Sequence, residues 1–245
     1  MPYDAMILAP NFEPATALWY PWFTQELSDK LQQKGLDVVV LAGSAVVKDN
    51  VWSQIQNFQP KLILGVGHGN EDVYTGQNYD IIFQKCSYDP ALIASRNFAP
   101  VSCLVGINLL PDMQTKGLGA GLGEDIEYAF WYSNPSDPLH DPILALFTQS
   151  EFSYSYALAE GKTHDQAHQV MYDAYYSAAG QTQPHIADTL KTDANHRIAF
   201  GNPDWTVKGG QPPQPPSGPK IVMDGYLAIG PKLKLPIHLE GTIEE

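Results

Sequence analysis

Short apolar runs alternate with amphipathic stretches through the first third of the chain: Ala5 to Pro10, Leu36 to Leu41 and Leu62 to Val66. None of the three shows an inside-outside alternation, as expected of strands covered on both faces of a sheet. Between the first two, Ala15 to Gln33 has apolar residues at helical spacing and ends at Gly35, a residue suited to the left-handed position just past a helix. Asn50 to Phe58 predicts a shorter helix that stops before Pro60. Strands separated by helical connections predict parallel pairing with right-handed crossovers.

The pattern then becomes less regular. Ile81 to Phe83 suits a short strand, and Asp89-Pro90 opens a helical turn with proline at its tolerated first position. Phe98 to Cys103 is the next apolar strand. Pro100 lies inside it and has no N–H for a ladder, which predicts regular structure over the last few residues only, or a bulge. Ile107 to Lys116 suits a helix limited by Pro111, and Ile126 to Tyr132 is aromatic. A long helix is expected from Pro138 to Glu160, broken at Gly161-Lys162. Thr163 and Gln166 then form a capping box for a second helix to about Ala179. The polar segment Gly180 to Asn195 suggests a loop, and Arg197 to Phe200 a last short strand. Five prolines between Gln211 and Pro219 predict an extended linker, and Ile221 to Leu239 a hairpin. The expectation is an α/β domain with a mainly parallel sheet over residues 1–205. A Pro-rich linker and a short C-terminal β extension follow over 206–245.

Composition narrows the function. The 245 residues are 44% hydrophobic, enough for one sizeable core. Twenty-seven acidic against fourteen basic residues give a net charge of −13, which repels phosphate backbones and argues against a nucleic-acid partner. No apolar run approaches the ~18 residues that predict a membrane span. The start of the chain lacks the basic residues and long apolar centre of a signal peptide. With two cysteines, Cys86 and Cys103, and no need for a disulfide framework, a cytoplasmic location with reduced thiols is expected.

Two strands deliver chemistry to their carboxyl ends. Leu62 to Val66 leads into Gly67-His68-Gly69, and the run from Phe98 leads into Ser102-Cys103-Leu104-Val105-Gly106. Open α/β sheets bind ligands outside the carboxyl ends of their strands, so a thiol and an imidazole distant in sequence can meet there. An adjacent imidazolium lowers a thiol pKa, and the thiolate is the nucleophile.

This order of apolar strand, His-Gly, apolar strand and Ser-Cys resembles the cysteine peptidase clan of caspases, gingipains, clostripain and legumain. The pattern is nearest to gingipain-like members. Cys103-x-x-Gly106, the strand Leu118-Gly119-Ala120, the helix pair around Ala157 to Thr163 and the late Phe200-Gly201-Asn202-Pro203-Asp204 add to the resemblance, which spans roughly residues 5–205. It implies a caspase-hemoglobinase-like three-layer sandwich and a cysteine endopeptidase acting on a peptide or protein substrate. His68 and Cys103 would form its dyad, and the backbone N–H groups of Gly69 and Cys103 would hold the oxyanion. It also places the residue that reads the first substrate side chain just past the first strand. There Asn11 and Glu13 stand, and Glu13 would suit lysine or arginine. Glu124, Asp125 and Glu127 are a second acidic candidate. By the same resemblance, calcium is admitted as a cofactor, and the segment Gly180 to Asn195 or the linker after Lys208 is where an activating cleavage would fall if this chain uses one.

Other readings compete. A catalytically silent binding or scaffold protein on the same fold fits Pro100, the acidic composition and the Pro-rich extension. His164-Asp165-Gln166-Ala167-His168 places two histidines a helical turn apart, as in a zinc-dependent hydrolase, with a third ligand from His185, Asp188 or His196. Thr163 as N-cap makes a solvated first turn the plainer reading of His164. His140 between Asp137 and Asp141 is a weaker metal candidate. Gly65-x-Gly67-x-Gly69 could cradle a phosphate, but Glu71 and Asp72 follow at once and would repel one. Gly117 to Gly123 follows a helix, the wrong context for a dinucleotide loop.

Overall fold

The structure is a computed structural model that describes residues 3–208, 220–228 and 234–242. The chain divides into two units, Met1–Gly210 and Gln211–Glu245. In the first unit the strands are β1 (Ala5–Ala9), β2 (Val38–Ala42), β3 (Leu62–Val66), β4 (Gly69–Asn70), β5 (Val73–Thr75), β6 (Ile81–Gln84), β7 (Asn97–Val101), β8 (Ala120–Glu124) and β9 (Arg197–Gly201). Its helices are α1 (Pro14–Pro21), α2 (Ser28–Gln33), α3 (Lys48–Phe58), α4 (Leu109–Thr115), α5 (Pro142–Ala159), α6 (His164–Ala179) and α7 (Pro184–His196). The second unit contains an antiparallel hairpin of Lys220–Ala228 with Lys234–Thr242. The Pro-rich linker expected over Gln211 to Pro219 lies outside the described residues.

A six-stranded sheet in the order β2-β1-β3-β7-β8-β9 organises the first unit, parallel except for β9, which runs antiparallel to β8. The uninterrupted apolar runs follow from this placement. Along β1, Ala5, Ile7 and Ala9 face one core, while Met6 and Leu8 face the other. Along β3, Leu62, Leu64 and Val66 are separated from Ile63 in the same way. Helices α1, α2, α5, α6 and α7 supply the first core, and α3 and α4 the second, giving three layers. A smaller antiparallel sheet, β4-β5-β6, leaves the main sheet directly after β3.

Three local expectations are corrected. The helix predicted over Ala15 to Gln33 is one path from α1 to α2 but widens into a π turn over Trp22–Leu27. Pro21 precedes that turn and lacks the N–H that would bond one turn back. The segment expected as a loop, Gly180 to Asn195, holds α7. Pro184 occupies its first turn and Ile186, Ala187, Leu190 and Ala194 are buried on one face, too sparse a stripe to stand out among polar neighbours. Pro100 interrupts nothing: β7 is regular through it, in register with Gly65 of β3. Strand β8 pairs only with Asn97 and Phe98. The Val101 carbonyl serves the β3 side by accepting from Gly67, so Pro100 faces the other side, where the ladder has already ended.

Candidate active site

The β3–β7 register ends at Val66 opposite Val101. His68 and Cys103 each lie two residues farther on, at equivalent positions beyond the carboxyl ends of adjacent parallel strands, which run about 4.8 Å apart. Both line one cavity of about 100 Å³, whose other walls come from Ala15, Thr16, Trp19, Val66, Gly67, Val101, Ser102, Tyr128 and Phe130. A wider depression of about 700 Å³, lined by Lys48 and the Gln77 to Ile82 segment, contains neither residue.

The strand predicted to reach Cys103 stops at Val101, and Ser102 and Cys103 enter a turn. Leu104 adopts φ +62°, an uncommon conformation for a leucine, and its N–H bonds the Ile126 carbonyl at 3.0 Å. Gly106 N–H bonds the Glu124 carbonyl at 2.7 Å, so the turn is fixed on both sides of Val105. Burial pushes the Cys103 thiol up, with Glu127 and Glu124 acting in the same direction against hydrogen bonding from the Tyr128 N–H. These surroundings favour the thiol over the thiolate.

Gly69 closes the opposite side. A Cβ there would overlap Ser102 Oγ and come within 2.8 Å of the Val73 carbonyl and 2.9 Å of the Cys103 carbonyl, so only glycine fits. The preceding His68 carbonyl accepts the Thr75 N–H at 2.9 Å. By strand alternation, Gly69 turns its own N–H away from β5.

Glu13 is occupied locally. As N-cap of α1, its carboxylate accepts from Ala15 N at 2.8 Å and Thr16 N at 2.6 Å, and one oxygen lies 3.1 Å from His68 Nε2. That oxygen is off the line of a ring N–H, so Glu13 and His68 are in close polar contact without a hydrogen bond. Partial burial works against the Glu13 charge, but the amides of Thr16 and Ala15 and the neighbouring imidazole outweigh it and hold the carboxyl below its usual range. Phe12 and Tyr79 flank the His68 ring, at centroid distances of 6.1 and 5.2 Å.

The other candidates are dispersed. His164 is buried rather than solvated, bonded through Nδ1 to the Tyr154 hydroxyl at 2.7 Å. Burial and the nearby His168 push it down to about 4, so it is a neutral packing residue. His168 Nε2 donates to the Arg197 carbonyl at 2.8 Å. Among the described residues no group of three His, Cys, Asp or Glu side chains is disposed to hold a metal ion, and His164 and His168 are bonded to Tyr154 and the Arg197 carbonyl instead. His140 Nδ1 pairs with Asp137 at 2.9 Å, and Asp141 caps α5. Of the acidic trio, Glu124 is sealed beside Arg197, Asp125 pairs with His196 at 2.7 Å, and Glu127 is exposed. The 65–69 glycines pack against Tyr74, Thr75 and the Cys103 turn instead of opening a phosphate cradle.

Sequence reasoning passed over Trp19, Tyr128 and Phe130 as cavity walls. The aromatic run Ile126 to Tyr132 was the available signal, without an indication of what it faced.

No protein-family model matches the chain, and no curated protein matches it. A solved structure does. The complex of Porphyromonas gingivalis RgpB pro- and mature domains, a gingipain, superposes with a TM-score of 0.57 at 14% identity. The match covers 83% of this chain and 48% of that one, so this chain spans about half the length of its neighbour. That likeness carries the fold alone. The fold is mixed α/β, with a mostly parallel six-stranded sheet flanked by helices in the caspase-hemoglobinase manner.

Proposed function

We propose that this chain is a cysteine peptidase with Cys103 as nucleophile and His68 as its proton partner. The observation that carries the proposal is the equivalent placement of the two residues, two positions past a shared register pair and lining one cavity. In this reading, substrate binds to a neutral thiol. As sulfur attacks the peptide carbonyl, its proton passes to His68, and the carbonyl oxygen becomes an oxyanion held by the N–H groups of Gly69 and Cys103. Collapse breaks the C–N bond, and His68 returns the proton to the leaving amine. Water, giving its proton to His68, then hydrolyses the thioester and restores the thiol. Glu13 faces the imidazolium formed in each half-reaction and stabilises it, a role supported by its 3.1 Å approach and by the amides that keep it ionised.

The test is hydrolysis of a mixed-sequence peptide pool followed by mass spectrometry. Cys103→Ala is expected to abolish cleavage and Cys86→Ala to leave it intact. A correctly folded wild type that cleaves nothing, or cleavage that survives Cys103→Ala, overturns the proposal and favours a binding protein on this fold.

A further inference from the structure

The basic first residue expected from Glu13 is not what the cavity suits. We infer that the cavity beside Cys103 receives an uncharged aliphatic side chain of about leucine or methionine size, on the residue whose carbonyl is attacked. The inference rests on the peptidase reading above, because it takes the carbonyl to sit between Cys103 and the Gly69 amide.

No residue lining the cavity is Asp, Glu, Lys or Arg. Glu13 stands outside that lining, and its oxygens already serve two backbone amides and approach His68. Glu124 is fully buried against Arg197 and offers nothing to the cavity surface. A lysine or arginine head entering here would leave water without meeting a counter-charge, the costly way to bury a cation. An aspartate fares no better, since it too would leave water for a site with no cationic side chain in its lining and with Glu127 near Cys103.

What the walls do offer is carbon. Val66, Val101 and Trp19 are buried core residues, Ala15, Tyr128 and Phe130 add further apolar wall, and Gly67 and Thr16 complete the enclosure, the Thr16 hydroxyl being taken by the Glu13 carbonyl at 3.2 Å. The polar atoms of two wall residues, Trp19 Nε1 and Ser102 Oγ, are sealed from solvent, so neither presents a hydrogen-bonding group to an occupant. Size sets the upper limit. A dry apolar cavity of about 150 Å³ is enough for benzene. At about 100 Å³ this one suits a branched or linear aliphatic chain and is too small for an indole.

The experiment compares kcat/KM for peptides identical except at the first residue, using leucine, methionine, alanine, tryptophan, aspartate, lysine and arginine. Leucine or methionine is expected to exceed alanine by about 10–100-fold, the range that a few methylenes earn in an apolar pocket. The charged residues and tryptophan should fall below alanine. Ala15→Asp then puts a carboxylate in the cavity wall at the first turn of α1, where an acidic residue is tolerated. It is expected to raise lysine relative to leucine at least tenfold. Cys103-dependent cleavage that favours lysine or arginine in the wild type, or an Ala15→Asp enzyme with an unchanged leucine-to-lysine ratio, overturns the inference and leaves the peptidase reading standing. If no peptide is cleaved in a Cys103-dependent way, it is the peptidase reading that fails.

Discussion

Two groups of charged side chains lie at the carboxyl-terminal edge of the sheet, and they are built in opposite ways. At the cavity, Glu13 and His68 are 19% and 35% exposed, and the carboxylate is fixed by backbone amides while the imidazole keeps a face toward open space. Farther in, Arg197 and Glu124 are fully buried and Glu151 nearly so. Arg197 donates to Glu151 through Nη2 and to the Pro100 carbonyl through Nη1 at 2.7 Å, and its Nε lies 3.6 Å from Glu124. The buried group turns its charge inward, with both Glu124 oxygens and Arg197 Nε sealed from solvent without a hydrogen bond. Because Pro100 lies three residues before Cys103 on a strand edge that β8 has left, Arg197 supplies the hydrogen bond that a neighbouring strand would have given. Tyr175 extends the group, donating to Glu151 at 3.1 Å and meeting the hydroxyl of Tyr128, a cavity wall, at 3.0 Å. In the peptidase reading the first group takes part in the reaction, while the second holds the strand end and one wall of the cavity.

The comparison breaks most easily at Arg197. Arg197→Met strands two buried carboxyl groups and frees the Pro100 carbonyl, and is expected to cost about 3–5 kcal/mol in urea unfolding. Replacing the hydrogen-bonded pair together, as Arg197→Met with Glu151→Met, should recover part of that loss, because buried ion pairs exchange for apolar packing at little net cost. A single-variant loss below about 1 kcal/mol would mean that the guanidinium does not anchor the strand.

A second test uses pH. Asp193 sits in the same region, where burial raises its pKa to about 8, opposed by the Ala129 N–H and Arg197 and reinforced by Glu151. Its ordinary value is 3.8. Between those values the folded state holds a proton that the unfolded state has lost, so stability falls as pH rises through that window, by about 1.4 kcal/mol per unit for one group. Glu124, also raised by burial, acts with the same sign. Asp193→Asn should remove one group's share of the slope, giving a variant that gains on wild type by about 2.7 kcal/mol between pH 5 and pH 7. Parallel stability curves for the two proteins would place Asp193 outside the buried group.

How much of this was legible follows from where each signal resides. Strands covered on both faces leave uninterrupted apolar runs, so β1 and β3 stood out, and polar residues just past them marked the site. The capping box is local, and Thr163 and Gln166 form it as expected. Arg197 carried no such mark, since its partners at 100, 124 and 151 become neighbours only when β7, β8 and α5 assemble. Pro100 misled because the ladder rule depends on which edge the missing N–H faces, a property of sheet order. Helix α7 shows its stripe only once Ile186, Ala187, Leu190 and Ala194 have a core to meet. Glu13 was placed near the site by its position after β1, but its direction is fixed by the start of α1, which turns the carboxylate back on Ala15 and Thr16.

Glu13 also supplies the finest test, because its two duties separate. Glu13→Gln keeps one acceptor oxygen where the carboxylate offered Ala15 and Thr16 one each, so the loss of stability should stay within about 1 kcal/mol. It removes the charge beside His68, and a proton transfer that creates an imidazolium loses that stabilisation. In the peptidase reading kcat should fall about tenfold, equivalent to about 1.4 kcal/mol, with KM little changed. Glu13→Ala should match that loss of rate and add the cost of an unpaired helix start, about 1 kcal/mol in unfolding. Since the wild-type carboxyl titrates below its usual range, the stability it contributes is present above the ordinary pKa of 4.5 and lost as pH falls through the lower folded value. Glu13→Gln should therefore narrow its stability gap to wild type on acidification. A variant with full kcat would confine Glu13 to the cap and leave His68 to act without it.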